Sequence, residues 1–148
     1  MVGTMSKPLS KQDVYNRVYD YFTRKGAKLS YYRDEHDTIR CRYRAKDGSA
    51  CAAGCLIPDE LYNPDFEGNR AFNRYGQTGV IVDVWPDIDY EVAVFIDEIQ
   101  RIHDNAADLA ASDMDRLHRF LDNLEEFAER EGLEIINGTV ERSVQMPN

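Results

Sequence analysis

The sequence predicts an α+β fold: a single small domain in which two to three antiparallel strands pack with three main helices, plus a C-terminal hairpin. The 148 residues are the length of one domain, and a hydrophobic content of 43% supports a core. Three segments repeat apolar residues at the three- and four-residue spacing of a helix face. Other short segments alternate apolar and polar residues or are rich in β-branched residues, and both patterns are typical of strands.

The first helix is predicted to follow a flexible N-terminal lead over residues 1–9, so that the domain spans residues 10–148. Ser10 and Asp13 stand three residues apart, which is the spacing of a capping box. The apolar residues after them share one helix face and predict a helix to about Lys25, where Gly26 supplies a left-handed cap. That face consists of Val14, Val18, Tyr21 and Phe22.

A hairpin is predicted next, after a polar loop over residues 30–37. Residues 38–44 alternate cleanly, residues 46–48 read Lys-Asp-Gly as a turn does, and residues 49–55 return as the second strand. Alternation places three arginines on one face of the first strand and Cys41 and Tyr43 on the other. With a three-residue turn, Cys51 and Cys55 face the same side as Cys41. The arginines are Arg40, Arg42 and Arg44.

The middle of the chain contains short elements and one long irregular stretch. Pro58, Asp59 and Glu60 are typical of the start of a short helix, because proline fits its first position and acids favour its positive end. Residues 65–79 form the longest irregular segment and are a candidate for contacting a partner. Residues 80–85 are rich in β-branched side chains and predict a strand that Pro86 ends.

The second main helix is predicted from Ile88 to about Asn105. His103 falls within its apolar stripe, so we expect that side chain to be buried, whereas Asp104 falls outside the stripe and is predicted to point away from the His103 ring. Since the histidine lies on the apolar stripe, we expect it to hydrogen-bond near the segment from Cys51 to Tyr62.

The third main helix is predicted from Ser112 to Gly132, with Asp115 completing another capping box. Its apolar residues recur at spacings of three and four, which favours core packing, with a homodimer face as the alternative. Beyond it, residues 133–148 contain Asn137-Gly138 between apolar residues, which predicts a C-terminal hairpin.

The charge of the chain is unevenly distributed. Residues 1–55 contain 11 Lys and Arg against 6 Asp and Glu, a net charge of +5, whereas residues 56–148 contain 7 against 21, a net charge of −14. The total of −9 disfavours direct binding to a nucleic-acid backbone. No window is apolar enough to span a membrane, and the first residues lack the apolar centre of a signal peptide. A cytoplasmic location is therefore predicted.

The segment Cys51–Gly68 carries a recognisable pattern. Together with Cys41, Tyr43, Arg44 and Gly48 it reads C-x-Y-R-x-x-x-G-x-x-C-A-x-G-C-L-I-P-D-E-L-Y-x-P-x-F-E-G, and residues 99–104 add I-x-x-I-H-D. The chain resembles a family of small proteins encoded by bacteriophages and prophages, over roughly residues 10–133. The resemblance implies a phage or mobile-element origin, hence the host cell cytoplasm, and a single small domain. It assigns no catalytic residues.

Two sets of side chains are candidates for chemistry. Cys41, Cys51, Cys55 and His103 would supply the three sulfurs and one nitrogen of a zinc site, although their spacing is not that of a zinc ribbon or finger. Buried core cysteines without a cofactor are favoured. A Cys51–His103–Asp104 nucleophile is the enzymatic alternative, and it lacks an evident oxyanion element.

The second set is the arginine row of Arg40, Arg42 and Arg44 with Tyr43, which is suited to a phosphate or carboxylate ligand. Because Tyr31 and Tyr32 are also near in the sequence, a nucleotide or a single strand is a possible ligand. A solvated outer strand face is the alternative. Residues of the Cys51–Gly68 pattern are further candidates, namely Gly54, Pro58, Asp59, Glu60 and Tyr62.

The favoured function is a non-enzymatic, phage-encoded accessory protein that binds and modulates a host factor through its acidic surface. Residues 83–131 carry most of the negative charge on the two long helices, and such a surface can mimic nucleic acid towards a basic host protein. The alternative is a binder or sponge of a small anionic ligand such as a nucleotide, and a metal- or cysteine-dependent enzyme is a minor alternative.

Overall fold

The α+β class predicted from the sequence is confirmed by a computed structural model that describes residues 9–107 and 111–135. Within these residues, four α-helices accompany a two-stranded antiparallel sheet. None of the helices within them is long and apolar enough to cross a membrane. Residues 1–8 of the predicted lead and residues 136–148 of the predicted hairpin lie outside the described part. The elements are α1 (Lys11–Phe22), β1 (Tyr31–Arg33), β2 (Ile39–Cys41), α2 (Val80–Val84), α3 (Tyr90–Asn105) and α4 (Asp113–Arg130).

Local capping signals fix the ends of the long helices. The Ser10 hydroxyl accepts the Asp13 N–H at 3.1 Å and the Asp13 carboxylate accepts the Ser10 N–H at 3.2 Å, so the predicted capping box of α1 is confirmed. Helix α4 begins with the Asp115 N–H donating to the Ser112 hydroxyl at 3.0 Å. It ends as predicted, with Gly132 at a φ of 76°.

The core lies between α1, α3 and α4. Phe22 of α1 meets Phe120 of α4 with 4.8 Å between ring centroids, and Phe95 of α3 stacks on Phe127 of α4 at 5.2 Å. The apolar face of α4 is therefore used inside this chain, which confirms core packing. Other buried side chains of the core are Val14, Tyr15, Val18, Tyr19, Ile96, Ile99, Leu121 and Leu124.

The predicted hairpin partner of β2 is wrong. Residues 31–33, predicted as a loop, form β1 and pair with β2 in the register Tyr31–Cys41 and Arg33–Ile39. The Lys-Asp-Gly turn does form, with the Ala45 N–H donating to the Ser49 carbonyl at 2.9 Å, but residues 54–56 then coil into a 3₁₀ turn. Ala50 to Ala53 are all buried, so the segment packs on every side instead of alternating as an edge strand would.

The strand predicted over residues 80–85 is helical instead. Val80, Ile81 and Val84 are the buried residues of α2, and their spacing of one and three places them on one helical face. The Ile81 N–H donates to the Ala71 carbonyl, so the chain enters the helix already hydrogen-bonded to the segment before it. Burial of this face overrides the β-propensity of the valines and isoleucine.

Candidate functional site

Residues Cys51–Gly68, which we call the motif segment, are held in place by the carboxylate of Glu67. Its Oε1 accepts the Tyr43 N–H at 3.0 Å, and its Oε2 accepts both the Arg44 N–H at 3.0 Å and the Tyr62 hydroxyl at 2.6 Å. Burial and this last bond raise the pKa of Tyr62 to about 12. One side chain thus joins the motif segment to the residues that follow β2.

Further contacts of the motif segment have the same structural role. Arg44 donates to the Asp59 carboxylate at 2.7 Å and lies over the Tyr62 ring, with 5.1 Å to its centroid. At Gly54, a Cβ atom would come within 2.2 Å of the Tyr43 carbonyl oxygen, so only glycine fits. Pro58 precedes the short 3₁₀ turn Asp59–Leu61, and Glu60 in that turn is exposed. These contacts indicate that the motif segment stabilises the fold, and they favour that role over a ligand site.

The predicted arginine row does not act as one unit. Arg40 pairs with Asp34 at 2.6 Å and lowers the pKa of that carboxyl, while Arg44 pairs with Asp59 of the motif segment. Arg42 differs from both, since its guanidinium lies over the Tyr32 ring at 4.0 Å from the centroid. Within the described residues, no ion pair joins Arg42 to a carboxylate. Its charge is thus available to a ligand.

Arg42 lines a groove of about 520 Å³, which we call the Arg42 groove. The groove lies between the segment before the sheet and the turn after β2, with Tyr31 and Tyr32 as its aromatic side chains. Tyr43 takes no part in it, because that side chain is buried and its hydroxyl donates to the Asn69 carbonyl at 2.7 Å. The lining consists of Lys28, Leu29, Ser30, Tyr31, Tyr32, Arg42, Ala45, Lys46, Asp47, Ser49 and Asp113.

The electrostatics of the Arg42 groove are set by three cations and two acids. Lys28 and Asp47 neutralise each other through an ion pair of 2.7 Å. That contact and two hydrogen bonds from Ser49 hold the pKa of the Asp47 carboxyl well below its usual range. The second acid, Asp113, is bonded to Arg116 on α4. Arg42 and the exposed Lys46 therefore leave the groove with net positive charge on a protein of net charge −9.

The floor of the Arg42 groove is fixed to the core through Ser30 and His103. The Ser30 hydroxyl donates to the Arg42 carbonyl at 3.0 Å, and the Ser30 N–H donates to His103 Nε2 at 3.3 Å. His103 is fully buried, as predicted, and its hydrogen-bond partners are Ser30 and Asp104 rather than residues of the segment from Cys51 to Tyr62. Since Nε2 accepts a hydrogen bond, the neutral ring carries its proton on Nδ1, which faces Asp104 Oδ1 at 3.0 Å. The prediction that Asp104 points away from the ring is wrong, because its carboxylate folds back along the helix.

The three cysteines occupy two places rather than one face. Cys51 is fully buried, and burial together with its contact to the Cys41 thiol raises its pKa well above the ordinary range. Cys55 lies apart, where its thiol donates to the Ala52 carbonyl at 3.1 Å and burial raises its pKa to about 12. The predicted shared face fails because the segment coils at Gly54. Raised thiol pKa values are the opposite of what a nucleophilic cysteine needs.

Among residues 9–107 and 111–135, no three His, Cys, Asp or Glu side chains are grouped as a metal ion requires. His103 in particular is occupied by Ser30 and Asp104. The preference for core cysteines without a cofactor stays a prediction, and the metal content of the purified protein is the measurement that decides it.

Sequence reasoning identified Arg42, with Tyr31 and Tyr32 near it, but missed Lys28 and Ser30. Lys28 and Ser30 come from the stretch between α1 and β1, and they reach Arg42 through the pairing of β1 with β2. Glu67 and Gln100 were also missed. The Gln100 amide accepts the Ala53 N–H at 2.8 Å and donates to Asp104 at 2.9 Å, which ties α3 to the motif segment. A signal for Glu67 was present, since it lies within the motif.

Comparisons of the chain with protein-family models, with curated proteins and with solved structures found no match. A function has to be inferred from the geometry of the Arg42 groove and from the distribution of surface charge.

Proposed function

We propose that the protein binds a small anionic ligand, a phosphorylated molecule of nucleotide type, in the Arg42 groove without catalysing its reaction. The observation that carries this proposal is the Arg42 guanidinium, which lies over Tyr32 at 4.0 Å and pairs with no carboxylate of the described residues. A guanidinium presents its donors in a planar fork that matches a phosphate.

The size and the composition of the groove support the same ligand class. Its volume of about 520 Å³ is in the range of small-molecule sites. Lys46 adds a positive charge at the edge, and Tyr31 and Tyr32 offer ring surface for a planar base. The Arg42 carbonyl accepts hydrogen bonds from the Cys51 N–H and the Ser30 hydroxyl, so the backbone that carries the guanidinium is held before a ligand arrives.

Isothermal titration calorimetry with ATP, AMP and inorganic phosphate in low salt tests the proposal. We expect one ATP per chain and weaker binding of AMP and phosphate, because each has fewer groups to meet Arg42 and the tyrosines. Arg42→Ala removes a charged hydrogen-bonding partner worth about 1.5–3 kcal/mol, which corresponds to roughly 10- to 100-fold weaker binding of ATP.

Arg40→Ala is the matched control, since Arg40 lies two residues before Arg42 in the chain but pairs with Asp34 outside the groove. Its affinity for ATP should stay within about twofold of wild type. No binding of any of the three probes by the wild-type protein, or equal losses in both variants, would contradict the proposal.

A second function, the binding of a basic host protein through the acidic surface, is supported by α4. Glu126 and Glu129 are exposed on this helix, whereas Glu125 beside them is buried and belongs to the core side. The resemblance to phage-encoded proteins makes a bacterial protein the expected partner.

The test of this second function is retention of proteins from a bacterial lysate on the immobilised chain. Glu126→Gln with Glu129→Gln should reduce the retained protein, and added salt should do the same. Glu35→Gln with Glu60→Gln removes the same charge at exposed positions elsewhere and should have little effect. If the wild-type chain retains no protein, this function is wrong.

A further inference from the structure

The loop of residues 73–78, which we call the Tyr75 loop, has a fixed backbone. The Asn73 N–H donates to the Thr78 carbonyl at 2.7 Å and the two residues form an isolated β-bridge. The Asn73 side-chain oxygen accepts the N–H groups of Tyr75 at 3.0 Å and of Gly76 at 3.3 Å. The donors at the tip are thereby satisfied within the loop.

The base of the Tyr75 loop is anchored to the domain on two sides. Ala71 and Phe72 are buried before it, and Gly79 after it lies so close that a Cβ atom would come within 2.6 Å of the Ala71 carbonyl oxygen. The Arg74 guanidinium reaches α3, where it lies 3.4 Å from the Asp97 carboxylate and 3.5 Å from that of Glu98. The loop is therefore a preformed projection of the fold.

Tyr75 stands at the tip of this loop with its side chain fully exposed, at 100%. Each of the other eight tyrosines is at least partly buried, and the next most exposed, Tyr90, is at 44%. Turns favour Gly, Asn, Asp, Ser and Pro for their backbone properties, so the turn itself does not require an aromatic residue. The ring contributes no packing to the domain, and the fold alone does not explain its presence.

The surface near the Tyr75 loop is acidic. Residues 75–100 contain no Lys or Arg. Of the two cations just before them, Arg74 is offset by its two carboxylate partners, and Arg70 is exposed at the base of the loop. The Phe72 ring meets the Tyr90 ring with 5.8 Å between centroids, which places the base of the loop against the first turn of α3. The exposed acids of this neighbouring stretch are Asp83, Asp87, Asp89 and Glu91.

We propose that Tyr75 is the anchor of a docking surface for a protein partner whose own surface is basic and holds a cleft for a phenol ring. Aromatic side chains supply most of the binding energy at many interfaces, and a preformed loop does not lose that energy to ordering. The acidic surroundings select a basic partner by charge complementarity. The inference rests on the second proposed function, the binding of a protein, and adds where the contact is made.

The experiment uses the full chain immobilised as bait and a bacterial lysate as the probe, in about 50 mM salt. We expect the wild-type chain and Tyr75→Phe to retain the same basic protein, and Tyr75→Ala to retain far less. With that protein purified, its affinity for Tyr75→Ala should be at least about 30-fold weaker than for wild type, which is the loss expected at an anchor residue.

Leu61→Ala is the control, because Leu61 is a large apolar side chain that is 46% exposed and does not belong to this surface. It should bind as wild type does, and Tyr75→Ala should melt at the wild-type temperature since its ring packs on nothing in the domain. Equal retention by wild type and Tyr75→Ala, or loss only in the α4 variant, would place the contact elsewhere and refute the anchor while leaving protein binding intact. An acidic retained protein would also refute the proposal. If the wild-type chain retains nothing, both ideas fail together.

Discussion

Replacing Glu67 with glutamine removes one of the two carboxylate oxygens that join the motif segment to the residues after β2. The Tyr43 N–H uses one oxygen at 3.0 Å, and the Arg44 N–H and the Tyr62 hydroxyl share the other. Glutamine has a single acceptor oxygen, so its NH₂ group must face at least one of these donors. The best orientation of the amide keeps two bonds and leaves the N–H of the buried Tyr43 unpaired.

The magnitude follows from these bonds. A buried donor that loses its acceptor costs about 1–3 kcal/mol, and the two remaining bonds lose their charge assistance. We therefore expect Glu67→Gln to lower the free energy of unfolding by about 2–4 kcal/mol, a large part of the roughly 5–15 kcal/mol of a typical domain. With a urea slope of about 1–3 kcal/mol per molar, the midpoint of unfolding should fall by roughly 0.7–4 M.

Urea unfolding followed by circular dichroism measures this change. Glu60→Gln is the matched control, since Glu60 belongs to the same motif segment and is exposed, and its midpoint should stay at the wild-type value. Tyr62→Phe should cost about 1 kcal/mol alone and less in the Glu67→Gln background, because the two changes remove one shared bond. A midpoint for Glu67→Gln within 0.2 M of wild type, a shift of about 0.2–0.6 kcal/mol by the same slope, would refute the role of this carboxylate.

Three further predictions test the packing around the same region. Gly54→Ala should destabilise the fold by about 2 kcal/mol or more in the urea assay, because its Cβ meets the Tyr43 carbonyl at 2.2 Å, whereas Gly76→Ala, with 3.6 Å to the nearest atom, should be tolerated. His103→Ala should lower the free energy of unfolding by about 3–5 kcal/mol, since it leaves the Ser30 N–H unpaired and opens a cavity beside Phe22 and Phe120; a loss under 1 kcal/mol would contradict this. Cys55 has a pKa of about 12 in place of 9.0, so its thiol should resist thiol reagents at pH 8 in the native protein. The free energy of unfolding should fall as pH rises from about 9 towards 12, because the unfolded chain releases the thiol proton that the folded chain retains. Cys55→Ala should reduce this dependence on pH.

The long helices could be predicted because their signals are local. Ser10 with Asp13, and Ser112 with Asp115, lie three residues apart, and each pair acts on backbone donors within the same turn. The apolar spacing also determined the buried faces, including the burial of His103, since the faces of α1, α3 and α4 meet one another in the core.

The strand pairing and α2 could not be predicted because they depend on distant residues. The side chains of residues 38–44 alternate between two faces, and this pattern is compatible with pairing to residues 31–33 or to residues 49–55. The choice is made where Gly54 packs on Tyr43 and Gln100 of α3 takes the Ala53 N–H, contacts that span up to 47 residues. Residues 80–84 likewise become helical through burial of one face.

For the candidate site, the sequence indicated the residue types and not their roles. Arg40, Arg42 and Arg44 share a spacing of two, yet Asp34 and Asp59 engage the outer two and leave the middle one. Which arginine stays available depends on where loop carboxylates lie in space, and spacing along a strand contains no such information. The same holds for Tyr75, whose exposure depends on the bonds of Asn73.

The two proposed binding modes should differ in their dependence on salt, and the difference follows from the charge of the whole chain. ATP is an anion that approaches a protein of net charge −9, so salt screens a long-range repulsion as well as the contact with Arg42. A basic protein is attracted both by the net charge of the chain at long range and by the surface at the contact, because the Tyr75 loop adjoins a stretch without cations. Between 50 and 200 mM salt we therefore expect the affinity for ATP to change much less steeply than the affinity for the retained protein. Calorimetry on the same preparation measures both affinities at each salt concentration. If both depended on salt to the same extent, the net negative charge of the chain would not oppose ATP binding at the Arg42 groove, and this reasoning would be wrong.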